Sequence, residues 1–227
     1  MRSRTKPRLT VTVAALPCAV LLCAALASPA TAYAVDIGVA SAVVPDAHGQ
    51  PAGGAQEELK AGSRLHSDER ITCGPTGRAQ LVFADGTALS VGAGSDLVID
   101  RYVYDAERGT GEMATSMSKG VLRFVGGRIS KKRDVTVTTP VGTVGIRGGI
   151  AVVSYSPGGE LMAVFLYGDA MTVRAGGASQ TVRRPGLAIR VPARGPAGAP
   201  RRVAPGDLRR VMGRSEGPPR AGPGPPP

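Results

Sequence analysis

The residues best able to bind a metal ion are few and widely spaced. The chain has 2 histidines, His48 and His66, which lie in separate polar segments. A zinc site needs three or four ligands close together, so solvated histidines are the better interpretation. Four acidic residues could resemble a calcium cluster, but the glycine-centred acidic loop of a calcium site is missing. The sequence therefore predicts no metal and no other cofactor, and solvated charges at Asp96, Asp100, Asp105 and Glu107.

Residues for covalent or acid–base catalysis are equally scarce. The chain has no Gly-x-Ser-x-Gly elbow, and Gly92-Ala-Gly94-Ser-Asp lacks the glycine spacing of a phosphate loop. Cys73 is the only cysteine after residue 34, and a buried apolar role is favoured over an exposed reactive thiol. The sequence predicts no catalytic residue and a protein that is not an enzyme. A hydrolase or isomerase with a scattered site is the alternative, and it requires a buried carboxylate or histidine with a perturbed pKa.

The stretch TTPVGTVGIRGG is the candidate structural or binding motif. Its glycines predict tight backbone approach and bends where a strand passes to another layer. Arg147 has two interpretations: a guanidinium that caps free carbonyls at a sheet bend, or a contact for an anion or a peptide. The nearby basic run Lys131-Lys132-Arg133 is interpreted as a solvated turn. The candidate residues are Thr139, Pro140, Gly142, Gly145, Arg147, Gly148 and Gly149.

The elements that must position this motif are short strands. Residues 79–91 alternate apolar and polar side chains on both sides of Asp85-Gly86, which predicts a hairpin with a two-residue type I′ turn. Glycine or proline turns recur every 8–15 residues up to Gly177. This spacing predicts an all-β fold, an antiparallel β-sandwich or roll of short strands. A single short helix could precede Leu59, and Asp207 to Met212 could form a helical turn.

The charge lies at the two ends of the chain. The net charge is +11, but residues 35–182 carry 14 basic and 15 acidic residues, so specific nucleic-acid binding is not expected. Residues 1–34 read as a signal peptide with a basic start, an apolar run and Ala32-Tyr33-Ala34; an uncleaved anchor helix is the alternative. Residues 35–191 form the predicted domain. Residues 192–227 are predicted to be a disordered Pro/Arg/Gly-rich tail that contacts anionic surfaces. The protein is expected to be periplasmic or secreted, with no membrane span after cleavage.

Three blocks in order resemble the FecR-domain family over roughly residues 36–175. They are Leu59 to Gly74, Gly77 to Leu89 with Asp85-Gly86-Thr87, and Val137 to Gly148 with Thr139-Pro140-Val141-Gly142. The resemblance implies an exported all-β domain that acts as a non-enzymatic binding or scaffold module of the cell envelope, with a protein or envelope component as its partner. The alternative is a periplasmic sensor component that acts through a separate membrane partner. Because only eight residues precede the apolar run, the cytoplasmic anti-sigma segment of such regulators is not expected here.

Overall fold

The computed structural model describes residues 36–216. The predicted signal peptide, and the end of the chain from residue 217 onward, lie outside the described residues. Within them the chain forms seventeen strands and two helices, numbered here along the sequence. The strands build two sheets that share one long strand.

Sheet A is the first of the two sheets. In spatial order it contains β4 (Arg64–His66), β1 (Asp36–Val44), β6 (Arg78–Phe83), β7 (Ala88–Val91), the second part of β9 (Thr110–Val125), β12 (Ile150–Tyr155), β13 (Leu161–Tyr167), β16 (Leu187–Val191) and β17 (Arg201–Arg202). All of its neighbouring strands are antiparallel.

Sheet B is the second and carries the motif singled out above. In spatial order it contains β3 (Glu57–Glu58), β2 (Ala47–Gln50), β5 (Arg70–Cys73), β8 (Asp96–Asp105), the first part of β9, β10 (Val135–Thr139), β11 (Gly142–Arg147), β14 (Ala170–Ala175) and β15 (Ala178–Val182). Its strands are antiparallel except for the β9–β10 pair, which is parallel.

Strand β9 joins the two sheets by bending at Gly120. Residues before the bend pair with β8 and β10, and residues after it pair with β7 and β12. Gly120 has φ +109°, and a Cβ there would overlap Ser95, so only glycine fits. After β9, helix α1 (Arg128–Lys132) returns the chain to sheet B. This crossover explains why β10 runs parallel to β9 in an otherwise antiparallel fold.

The main core fills the space between the sheets. In β6 the side chains of Ala79, Leu81 and Phe83 are buried and Gln80 is exposed, as period-two alternation predicts for a strand with one face on the core. The all-β prediction is therefore confirmed. The largest fully buried side chains include Phe124 of β9 and Phe165 of β13, both in sheet A.

Helix α2 (Pro205–Glu216) corrects the prediction of a disordered tail over residues 192–216. Strands β12 and β13 are buried on both faces, because α2 covers the outer face of sheet A. Val211 is 5% exposed, and Leu208 and Met212 pack beside it. The spacing of these three residues places them on one side of the helix. Their burial offsets the unfavourable proline and glycine content that suggested disorder.

Two local predictions are also corrected. The hairpin loop between β6 and β7 has three residues, Ala84 to Gly86, and only Gly86 in it has positive φ, at +84°. A type I′ turn requires positive φ at two residues, so this is a longer turn that ends in a left-handed glycine. The helix expected before Leu59 is instead strand β3.

Candidate binding surface

The first part of the motif is the hairpin between β10 and β11. Thr139 pairs with Gly142, so Pro140 and Val141 form the turn. The Thr139 hydroxyl donates a hydrogen bond of 2.8 Å to the carbonyl of Gly142, which fixes the end of the hairpin. Thr139 is buried and Pro140 is exposed, so the threonine has a structural contact while the turn faces solvent.

The second part, Gly148-Gly149, lies where the chain passes from sheet B to sheet A. Both residues have positive φ, at +60° and +80°. The Gly148 amide donates to the carbonyl of Ser130 at 2.8 Å, and the Gly149 carbonyl accepts from the amide of Gly126 at 2.8 Å. A Cβ on Gly149 would overlap the carbonyl of Tyr167. The backbone is thus held on both sides, and a side chain at residue 149 cannot be accommodated without a shift.

The contacts of Arg147 differ from those expected of a guanidinium that caps free carbonyls. Its guanidinium donates to the carboxylate of Asp134 at 3.3 Å, and both side chains are nearly half exposed. No carbonyl accepts a hydrogen bond from Arg147 within residues 36–216. The capping interpretation is therefore wrong. The arginine lies on the outer face of sheet B, available to a ligand that competes for its ion pair.

Arg147 borders a polar groove of about 490 Å³ on that outer face, called here the sheet B groove. Gly145 forms part of its floor: a Cβ there would lie 3.4 Å from Asp134 Oδ2 and 3.9 Å from a guanidinium nitrogen of Arg174. The missing side chain therefore lets charged groups lie across β11. The lining residues are Asp134, Gly145, Arg147, Asp169, Ala170, Thr172, Thr181 and Arg183.

The groove ends at β15, the last strand of sheet B. β15 pairs with β14 on one side, and no strand among the described residues pairs with its other side. Sequence reasoning missed that this segment is the edge of a sheet. The signal for it was Gly176-Gly177 followed by a short polar strand and then Arg183-Arg184-Pro185, because polar residues, charges and proline are typical of exposed edges.

Asp85, the other predicted site residue, is a buried structural hub. Its carboxylate accepts from the amide and hydroxyl of Thr87 at 3.0 and 2.7 Å, from the Tyr102 hydroxyl at 3.2 Å and from the Ile129 amide at 3.1 Å. Burial, and then the charge of Asp85, raise the pKa of Tyr102. With both oxygens occupied by donors, Asp85 joins the β6–β7 hairpin to α1 rather than facing a ligand.

Glu69 is the buried carboxylate that the enzyme alternative requires. Its side chain accepts from the backbone amide of His66 at 2.8 Å, and burial raises its pKa. His66 Nδ1 lies 3.8 Å from Asp36 and makes no hydrogen bond. A perturbed carboxylate alone is not a catalytic pair, because a general acid or base also needs a reacting group within reach. The hydrogen bond instead closes the tight turn between β4 and β5.

The remaining predicted residues lie apart from one another. Asp96 differs from a solvated charge: it is buried, and hydrogen bonds from Arg70 at 2.9 and 2.5 Å lower its pKa. Asp100 accepts from Ser116. No group of three histidine, cysteine or acidic side chains within residues 36–216 could hold a metal ion.

Cys73 is 4% exposed, and burial raises its pKa to about 12, as expected for an inert apolar cysteine. Lys131, Lys132 and Arg133 are exposed, and the two lysines belong to α1. No helix in the described part of the chain is both long and apolar enough to cross a membrane.

The comparisons with known proteins agree with this architecture. Residues 69–171 match the family described as FecR protein, from the start of β5 to the start of β14. The resemblance to the FecR family seen in the sequence is therefore confirmed over these residues. The matched segment includes the Asp85 hub and the whole of the Thr139–Gly149 motif. No curated protein matches the chain.

Two solved structures share the fold. Both are crystal structures of a candidate anti-sigma factor from Parabacteroides distasonis ATCC 8503, with TM-scores of 0.51 and 0.50 and 16% sequence identity. The similarity covers 63% of this chain, and 63% and 64% of the two solved chains. Less than two thirds of each is thus shared, and at this identity the likeness establishes the fold alone.

Proposed function

We propose that this protein is a non-enzymatic binding module of the cell envelope that signals or assembles through a separate protein partner. The observation that carries the proposal is the open edge of β15 beside the polar sheet B groove, in a chain whose residues 69–171 match the FecR family. Unpaired strand edges are templates for binding another chain. The name of the Parabacteroides neighbours, candidate anti-sigma factor, supports a role in signalling.

A binding role also accounts better than catalysis for the buried polar groups. Asp85 is surrounded by protein donors, and Glu69 accepts from a backbone amide. The Tyr102 and Thr87 hydroxyls that donate to Asp85 are buried with it, so this group is closed to a substrate. Glu69 has no second titrating group at hydrogen-bond distance among the described residues, as acid–base catalysis requires. Exposed arginines, in contrast, lie beside β15, where a partner can reach them.

The proposed location follows from residues 1–34. A basic start, an apolar run and a small-residue cleavage motif are what an export signal requires. N-terminal sequencing of the protein from its native host should then begin at Val35. A mature chain that begins at Met1 and is released only by detergent would indicate an anchor in place of a cleaved signal.

The binding role is tested by recovering the partner from its native host. A photo-crosslinking amino acid is placed at Ser179 on the β15 edge, and in a matched control at Ser41, which is exposed on β1 of sheet A. Crosslinked material is purified from the envelope fraction and identified by mass spectrometry. We expect one discrete protein adduct with the Ser179 probe and none with the Ser41 probe. Absence of a protein adduct at any exposed position would contradict the proposal.

A further inference from the structure

We infer that β15 is the docking strand for an extended segment of the partner that alternates acidic and apolar residues. This inference rests on the proposed binding function and specifies its chemistry. The segment would add a tenth strand to sheet B by antiparallel or parallel pairing. Its acidic side chains would lie toward exposed arginines, and its apolar side chains would lie toward the gap between the sheets.

The pairing of β15 leaves its outer backbone groups free. Ala175 and Ala178 close a hairpin whose two-residue turn, Gly176-Gly177, has φ of +54° and +77°. The closing pair of such a hairpin exchanges backbone hydrogen bonds, and the following pairs alternate. The N–H and C=O groups of Ser179 and Thr181 therefore point away from β14. No backbone partner for either residue is found among residues 36–216.

β15 is also the longest of the four strands that end the two sheets. The opposite edge of sheet B is β3, which has two residues, both glutamates. The edges of sheet A are β4, with three residues, and β17, with two. The five residues of β15 are enough for an incoming strand to form several ladder bonds, whereas the shorter edges are blunted in the way that natural sheets avoid pairing.

The charge around β15 selects an acidic partner. A second cleft of about 480 Å³ runs along this edge and is lined by Thr181, Val182, Arg183, Arg184, Leu187 and Pro200. It contains no acidic residue. β17 contributes Arg201 and Arg202, since it pairs with the start of β16 at Leu187 and Ala188. Within the described part of the chain, none of these four guanidinium groups has an ion-pair partner. Carboxylates would supply the missing counter-charges.

The same charge disfavours a second copy of this chain as the occupant. Pairing of β15 with β15 of another molecule would bring both sets of unpaired arginines to one junction. Like charges that face each other across an interface oppose association. An acidic segment removes this repulsion, so the edge is better matched to a different chain.

The two sides of β15 explain why acidic and apolar residues should alternate in the partner segment. Thr181 and Arg183 lie on the outer face, beside the sheet B groove. Val182 is buried on the inner side, next to Leu187 of sheet A. Successive residues of an added strand would point to these two environments in turn. Acidic side chains suit the arginine side and small apolar side chains suit the inner side.

The docking strand is tested with a fluorescent peptide of about eight residues that alternates valine and glutamate. Binding is measured by anisotropy to the wild type and to Thr181→Pro, which removes the outward N–H and the hydroxyl bond to Thr172 but no backbone bond to β14. Thr181→Ala is the matched control, because it also loses the hydroxyl bond to Thr172 but keeps the N–H. We expect Thr181→Pro to weaken binding about tenfold, roughly the value of one backbone hydrogen bond, and Thr181→Ala to change it less than about twofold.

Two further arms test the charge and guard against misfolding of the proline variant. Arg183→Gln with Arg184→Gln should weaken binding and reduce its salt dependence, and a peptide of valine and lysine should not bind. Two peptides N-methylated at every second amide are then tested on the wild-type protein. Binding should be abolished when the methyl groups are on the amides that face β15, and retained when they are on the other amides. This measurement needs no protein variant.

Equal binding to Thr181→Pro and Thr181→Ala, or equal binding of both methylated peptides, would overturn the inference. The inference would also be overturned if the protein bound anionic phosphatidylglycerol vesicles but not the peptide, and if the double arginine variant lost vesicle binding. That result would assign the arginines to a membrane surface. The proposed function is judged separately: recovery of a protein partner crosslinked elsewhere would retain the binding role and reject only β15 as its docking strand.

Discussion

Replacement of Val211 by alanine tests whether α2 is a packed part of the domain. Val211 is 5% exposed and lies against Val121, Val152 and Val164 on the outer face of sheet A. The substitution removes two methyl groups, each of which contributes about 0.8 kcal/mol when buried. The cavity left behind adds to this loss. We therefore expect a decrease of about 2 kcal/mol in the free energy of unfolding, since alanine itself favours the helix.

The assay is urea and thermal unfolding of the domain from residue 35 to 227. A loss of about 2 kcal/mol corresponds to a Tm lower by roughly 4–8 °C in a domain of this size. Arg209→Ala is the control on the same helix, because Arg209 is exposed, and it should stay within about 0.5 kcal/mol of the wild type. If Val211→Ala is also within that limit, α2 is not packed on the sheet and the reasoning is refuted.

Three other predictions follow from the site. Gly149→Ala should lower the free energy of unfolding by about 2–4 kcal/mol or prevent folding, because a Cβ there strains a positive φ and meets a neighbouring carbonyl. Expression and urea melts would check this, and a melt like that of the wild type would contradict it. Arg147→Ala should change stability by less than about 1 kcal/mol, since its ion pair is exposed, and a larger loss in urea melts would show a structural role. The pKa of Asp96 is lowered by Arg70, so the stability from this pair is present above the ordinary carboxyl pKa and is lost as the pH falls through the folded pKa. Arg70→Gln should therefore destabilise the protein near pH 7 and progressively less as the pH falls below the ordinary carboxyl pKa of about 3.9, and a pH-independent difference in urea melts would argue against it.

The strands of this fold could be predicted because their burial follows local alternation. In β6 every second side chain is buried, and the sequence alone displays this period. The pairing between distant strands could not be read in the same way. The bend of β9 at Gly120 and the parallel β9–β10 pair depend on how distant segments meet, and no local period records such contacts.

In the tail a local helical pattern was present, but the overall composition led to a prediction of disorder. Leu208, Val211 and Met212 have the spacing of a helical face, but the surrounding prolines and arginines favoured disorder. What stabilises α2 is the exposed apolar surface of sheet A, which is not visible in the tail itself. Arg147 was misinterpreted for a related reason: its partner Asp134 lies just before the neighbouring strand β10, and sequence separation does not show which charges face each other.

Amide hydrogen exchange along β15 tests the account most directly. In the free protein, the amides of Ser179 and Thr181 should exchange rapidly, while those of Gln180 and Val182 should be protected by their bonds to β14. In the purified complex with the partner, the amides of Ser179 and Thr181 should become protected, and the exchange pattern of sheet A should stay the same. Rapid exchange of these two amides in both states, or protection of both in the free protein, would contradict a binding module that docks its partner on this edge.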